Sequence, residues 1–504
     1  MPNLLHDALF APHADDDKPF LILKNGTLIS YADFFEMSAR FAGAIAAAGV
    51  ETGDRVAVQV KKSHEALAVY AACVRTGAVF LPLNTAYTAA EVDYFVSDSR
   101  ARLLICDASS EAALTGVAEK SGARLMTLNG DGTGSLADAA REQPASFAPA
   151  ERGPADLAAF LYTSGTTGRS KGAMLTHDNL LSNARALVEA WRVTGDDVLV
   201  HALPIFHTHG LFVATNVMLL ARGSMVFLPG LDLDDLFAAF PRATTMMGVP
   251  TFYTRLLSDP RLTHDAVAHM RLFISGSAPL LAETHVAFEQ RTGHRILERY
   301  GMTETNMNTS NPYAGERRAG TVGTPLRGVE VRVADAETGA VLPPGEIGVI
   351  EVRGPNVFAG YWNMPEKTRA EFRADGFFIT GDLGTTDAEG YVTIVGRAKD
   401  LIIAGGYNIY PKEVELLLDE QAGVAESAVI GVPHPDLGEA VVGVVTAKAG
   451  AGLDPDMLLA GIREKLARFK QPRRIIVIDE LPRNTMGKVQ KNLLRDRFAN
   501  LFKA

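Results

Sequence analysis

The first three hundred residues alternate short apolar runs with stretches of helical periodicity, and no other feature narrows the fold as much. RVAVQV, SHEALAVYAACVRTG and ARLLICD follow one another as strand, helix and strand. Parallel strands need a long crossover, and helices supply it, so the pattern predicts βαβ units and mostly parallel sheets. From about residue 320 the pattern changes. GVEVRVAD, GEIGVIEVRG and GYVTIVG are short strands with turn residues between them, the signature of an antiparallel sheet or barrel. A last unit follows GRAKDLIIAGG, with a helix from Pro411, strands ESAVIGV, VVGVVTA and RIIVID, and a helix through DMLLAGIREKLARF. The reading is an α/β chain. A large N-terminal domain, residues 1–397, has doubly wound mixed sheets and an antiparallel barrel-like subdomain, and a small α+β domain covers residues 398–504.

At 504 residues the chain is too long for one core. Its 49 Lys and Arg against 59 Asp and Glu give a net charge of −10, which argues against a nucleic-acid binder. The two cysteines, Cys73 and Cys106, sit inside apolar stretches and read as core thiols of a reducing compartment. The N-terminus lacks a basic start and an apolar signal core, and FAGAIAAAGV is too short to span a bilayer. A cytoplasmic protein with no membrane segment is expected.

LAAFLYTSGTTGRSKGAML carries the most chemistry. An apolar strand ends at Tyr162 and a helix is expected from about Asp178 to Trp191. Between them lie Thr163, Ser164, Gly165, Thr166, Thr167, Gly168 and Lys171. Glycines expose backbone N–H groups, hydroxyls donate further hydrogen bonds and lysine adds a cation, which is what a polyphosphate requires. The Gly-Lys-Ser/Thr ending of a P-loop is missing, which disfavours a P-loop kinase.

YTSGTTGRSKG resembles the signature loop of the adenylate-forming superfamily: acyl-CoA synthetases, adenylation domains of peptide synthetases, and luciferases. Further motifs in the expected order extend the resemblance over essentially the whole chain. It implies ATP, Mg²⁺ and CoA as reactants, and a mobile C-terminal domain. In YGMTET it implies that Tyr300, Gly301 and Thr303, with Glu298 and Arg299 before them, hold the adenylate, and that Glu304 ligates the metal. Ser277 and Ala278 of GSAP would wall the adenine and acyl pocket, and Met302 would line the acid. His207 of PIFHTHG would stand near the acyl carboxylate; read alone, the two histidines there hint at a metal, but no further ligand joins them at suitable spacing. The resemblance gives Asp382 the ribose, groups Arg397 with the nucleotide, makes Lys399 the hinge, and lines a pantetheine tunnel with Gly405, Gly406 and Tyr407. Lys399 stands where many members carry aspartate. Lys488 in PRNTMGKVQK matches the catalytic lysine, a target for acetylation by a lysine acetyltransferase. Catalysis would thus rest on Lys488, His207 and Thr303.

Within the superfamily, HALPIFHTHGLFVA, GVPTFYTRLL, LFISGSAPL and ERYGMTETNMNTSNPY resemble the malonyl-CoA synthetases. The resemblance implies malonate as the acid and Arg255 as the partner of its distal carboxylate. Arg255 stands three residues after Phe252 on an expected helix. Two readings stand for it: a stem lying along apolar surface with its head in water, or a guanidinium meeting a second carboxylate away from water. A ligase for methylmalonate or another short acid, an enzyme loading a carrier protein, and a non-catalytic nucleotide sensor are the alternatives.

Overall fold

The computed structural model describes residues 2–163, 170–405, 407–463, 465–484 and 488–502. They form two compact units, Met1–Val331 with Val352–Phe378, and Arg332–Glu351 with Ile379–Ala504.

The first unit carries two sheets. One has six strands in the order Arg124–Thr127, Leu103–Cys106, Arg55–Gln59, Val79–Pro82, Leu157–Thr163 and Lys171–Thr176, parallel except for the last. The other has nine, with a parallel centre running from Leu297–Met302 to Pro19–Leu23 and antiparallel strands at both ends. The expected mixed α/β architecture is therefore present. Helix His64–Thr76 illustrates why the sequence folds this way. The Ser63 side chain caps its first turn by accepting from the Ala66 N–H, and Gly77 ends it at φ +71°. All its residues from Ala66 to Thr76 are buried, as expected of a crossover helix packed on a sheet. It carries Cys73; Cys106 ends the strand Leu103–Cys106. Both thiols are buried, and burial pushes the Cys106 pKa up to about 12 and that of Cys73 upward as well.

The second unit begins with a four-stranded sheet in the order Glu330–Ala334, Gly348–Arg353, Phe378–Thr386 and Val392–Arg397, the last two antiparallel. The sequence reading divides the chain after residue 397. The compact units divide it elsewhere, because these strands pair with one another and group with the C-terminal segment. Beyond them, Val424–His434 and Gly438–Ala447 form a long hairpin flanked by Ile402–Ala404 and Arg474–Val477. Alternation along the first strand gives the sheet two cores: Val429 packs with Leu418, Val445 and Ile462, while Ala428 and Ile430 pack with Val444 and Leu494.

Asp419 ends the helix Pro411–Asp419 and accepts from Ser427 Oγ at 2.6 Å. Burial, with Glu415 and Glu426 nearby, raises its carboxyl to about 6 from 3.8, against the opposing effects of Ser427 and Lys412. The folded state thus favours the protonated acid, a contribution complete below about pH 4 and lost as pH rises through 6. Asp419→Asn keeps an acceptor for Ser427 and removes the charge. It should stabilise the chain by about 1–2 kcal/mol at pH 8, after discounting for partial exposure, and have little effect near pH 4. Urea midpoints of both proteins at the two pH values check this.

Among the described residues, no helix is long and apolar enough to cross a membrane.

Candidate active site

The signature loop is flanked by two strands. Thr163 pairs with Lys171 in an antiparallel ladder, and helix His177–Trp191 begins only after Lys171–Thr176. The expected strand–loop–helix order is corrected here: no helix N-terminus follows the loop directly. Gly172 makes the hairpin close, since a Cβ there would meet Phe160 Cζ at 2.3 Å. Ser164, Gly165, Thr166, Thr167 and Gly168 lie outside the described residues, as does Gly406. The Lys171 ammonium is buried, 3.1 Å from Glu371 Oε1 and 4.1 Å over the Tyr361 ring.

Helix His177–Trp191 keys a second motif. Asn183 donates to the Met307 carbonyl at 2.8 Å and accepts from the Met307 N–H at 3.3 Å. Trp191 Nε1 donates to Ser310 Oγ at 3.0 Å. These bonds fix the hairpin whose turn is Thr303-Glu304-Thr305. Tyr300 and Glu304 are buried, while Gly301, Met302 and Thr303 are half-buried on the approach to the turn. Glu304 Oε1 lies 3.0 Å from the Tyr361 hydroxyl.

Arg299 is 3% exposed, and its Nε and Nη2 have no partner among the described residues. Loss of hydration brings its pKa down to about 9. It can lie there because residue 276 is glycine, where a Cβ would meet its guanidinium carbon at 2.4 Å. The next residue, Ser277, is held at φ +71°, a left-handed conformation unusual for serine. Its Oγ is 3.2 Å from His209 Nδ1. His209 is buried, with Nε2 unpartnered among the described residues, and burial followed by Arg299 pushes its pKa well down. It opens a one-turn π-helix, His209–Thr215, a form frequent at functional sites. His207 and Ala278 are half-buried beside this cluster in sequence. Glu298 lies 3.4 Å from His285, its carboxyl raised chiefly by burial. Ser275, His209 and Arg299 thus carry polar atoms that partners among the described residues leave unused, beside Ser277, a cluster suited to a polar ligand.

Arg255 lies off the apolar face on which its spacing from Phe252 places it. Helix Pro250–Ser258 buries Phe252, Tyr253 and Leu256, and Arg255 is exposed. Tyr253 turns the buried face so that Arg255 falls about 60° beyond Phe252. Arg255 lines a depression with Asp232, Asp234 and Arg261, and Asp234 is ion-paired with Arg261 at 2.7 Å. Phe252 instead lines a cavity of about 850 Å³ with Phe206, Pro82, Leu83 and Lys62. Sequence reasoning passed over Lys62. Its ammonium lies 2.9 Å from His201 Nδ1 and 2.8 Å from the His201 carbonyl, and burial lowers its pKa well below the usual range. His201 Nε2 in turn lies 2.8 Å from the carbonyl of Gly210, inside the π-helix.

In the second unit, Asp382 and Arg397 are cross-strand neighbours, with Arg397 Nε 2.7 Å from Asp382 Oδ1. Lys399 is exposed in the turn Ala398–Asp400. Gly405 has φ +58°, and Tyr407 stacks on Phe469 at 4.6 Å. Lys488 is exposed at the end of a loop closed by its N–H on Asn484 Oδ1, 3.0 Å, and by the Asn484 N–H on its carbonyl, 2.9 Å.

The model of the AMP-binding enzyme family matches residues 11–362, and that of the AMP-binding enzyme C-terminal domain matches residues 413–488. An ATP-bound MatB from Rhodopseudomonas palustris superposes with a TM-score of 0.98 at 58% identity, covering all of both chains. A malonate–CoA ligase of Arabidopsis thaliana is 36% identical over 89% of this chain and 78% of its own. A feruloyl-CoA synthase of an Amycolatopsis species is 37% identical over 97% of each.

Proposed function

We propose, on the premise that the chain belongs to the AMP-binding enzyme family, that it is an ATP-dependent ligase joining malonate to CoA. Curated relatives at 36% and 37% identity are named for malonate and for ferulate, while the MatB structure stands at 58%. The observation that carries the choice is Arg299: a buried guanidinium with unused N–H groups is costly unless an anion meets it. A dicarboxylate supplies that anion at its distal end, and an aryl acid supplies none. We therefore assign the second carboxylate to Arg299, with His209 and Ser277 beside it, in place of Arg255.

In the first step a malonate carboxylate oxygen bonds to the α-phosphorus of ATP, the bond to the bridging oxygen breaks, and pyrophosphate leaves. In the second the CoA sulfur, its proton lost, attacks the acyl carbon and AMP departs. Two anions must be held in line for the first step, which preorganised cations favour. Lys488 is assigned that task, Asp382 the ribose hydroxyls, and Thr303 and Tyr300 the adenylate. Gly405 and Tyr407 are assigned to the pantetheine arm and Lys399 to the hinge. Acetylation of the exposed Lys488 would remove its charge and with it the first step.

Glu304 fits a magnesium ion in part: it offers hard oxygen, yet among the described residues no three His, Cys, Asp or Glu side chains gather to hold a metal. One carboxylate plus substrate phosphates is a normal donor set for magnesium. When bound, the ion would offset charge on the phosphates.

The test is a panel of malonate, methylmalonate, butyrate, benzoate and ferulate with ATP, Mg²⁺ and CoA, read by thioester mass. Malonyl-CoA should dominate. A preference for ferulate or benzoate would reject malonate while keeping the ligase.

A further inference from the structure

Glu304 is one end of a buried chain of groups. The Tyr361 hydroxyl lies 3.0 Å from Glu304 Oε1 and 2.8 Å from Glu371 Oε2. A phenol has one proton, so it donates to one carboxylate at a time. Glu371 Oε1 lies 3.1 Å from the Lys171 ammonium and 2.8 Å from that of Lys367. Burial works against the Glu371 charge, but bonds from Lys367, Tyr361 and Lys171 outweigh it and hold the carboxyl below its ordinary range. The Lys171 ammonium also caps the Tyr361 ring at 4.1 Å. Lys171 is buried and so needs a counter-ion nearby.

We propose that Glu371 is a positioning residue for Glu304: it occupies Lys171, anchors the Tyr361 hydroxyl, and so keeps the Glu304 carboxylate turned to a divalent cation. The inference rests on the reading of Glu304 as a metal ligand. Without the Glu371 charge, the buried Lys171 ammonium is left over the ring of Tyr361, whose hydroxyl also meets Glu304, and Glu304 becomes a carboxylate that can answer it. Glu304 would then be drawn from the metal, and the phenol would lose its second anchor.

The experiment is Mn²⁺ binding to the full chain with saturating ATP, read from the electron paramagnetic resonance signal of free Mn²⁺. Glu371→Gln should raise the Mn²⁺ dissociation constant about three- to tenfold, and Tyr361→Phe by a similar factor. The double variant should match the weaker-binding single within twofold, because both act by releasing one carboxylate, that of Glu304. The KM for CoA should not move, and melting temperatures should stay close to the parent. Glu304→Gln separates the two readings. If it leaves Mn²⁺ binding unchanged, the metal assignment fails. If it weakens binding while Glu371→Gln and Tyr361→Phe do not, or if their effects multiply, the positioning role is overturned. Should Glu371→Gln not fold, Tyr361→Phe decides alone.

Discussion

Arg299→Met should lower kcat/KM for malonate by about two to three and a half decades while leaving butyrate unchanged or improved. Breaking a buried ion pair costs about 3–5 kcal/mol, and each decade of rate corresponds to about 1.36 kcal/mol. Methionine fills similar space without charge, so the ligand-free variant should also melt higher, having shed an unpaired buried cation. Arg255→Leu is the matching control. Exposed, in a depression that Asp232, Asp234 and Arg261 share, Arg255 should leave the malonate-to-butyrate ratio as it is. Measuring that ratio for the three proteins at saturating ATP and CoA decides between the arginines. A ratio lost with Arg255 and kept with Arg299 would restore the first reading.

Lys488→Ala should slow pyrophosphate release from malonate and ATP by at least about a hundredfold, the effect of removing one preorganised group that meets developing charge. Supplied with malonyl-adenylate and CoA, the same variant should release AMP at close to the parent rate, because that step no longer joins two anions. The Lys488 backbone meets the Asn484 side chain and N–H, contacts that alanine preserves. Equal losses in the two half-reactions would remove Lys488 from the adenylation step.

These residues differ in how far the sequence exposes them. Helix His64–Thr76 is legible because its caps and apolar positions are local. The strand Lys171–Thr176 is not: Gly172 disguises it as loop, and its reason is the Phe160 ring across the ladder. The exposure of Arg255 and the burial of Arg299 escape the sequence for a related reason. Spacing from Phe252 alone suggests a buried Arg255, but Tyr253 turns the buried face away from it. The burial of Arg299 depends on Gly276, which arrives from another strand-end. Glu371 escaped notice altogether, since its partner Lys171 lies 200 residues away in sequence. Motif identity is readable locally; which charges remain unneutralised is a property of the fold.

The placement of the two cysteines has a practical side. An enzyme that makes a mixed anhydride for a thiol to capture risks acylating itself wherever it carries a thiolate. Cys73 and Cys106 are sealed in the core and held protonated, so neither competes with the acceptor. A chromogenic aryl disulfide added to the reaction would therefore count CoA alone, with the folded protein silent. The same dye becomes a gauge of unfolding, since two equivalents of sulfur per chain should appear only when the core opens.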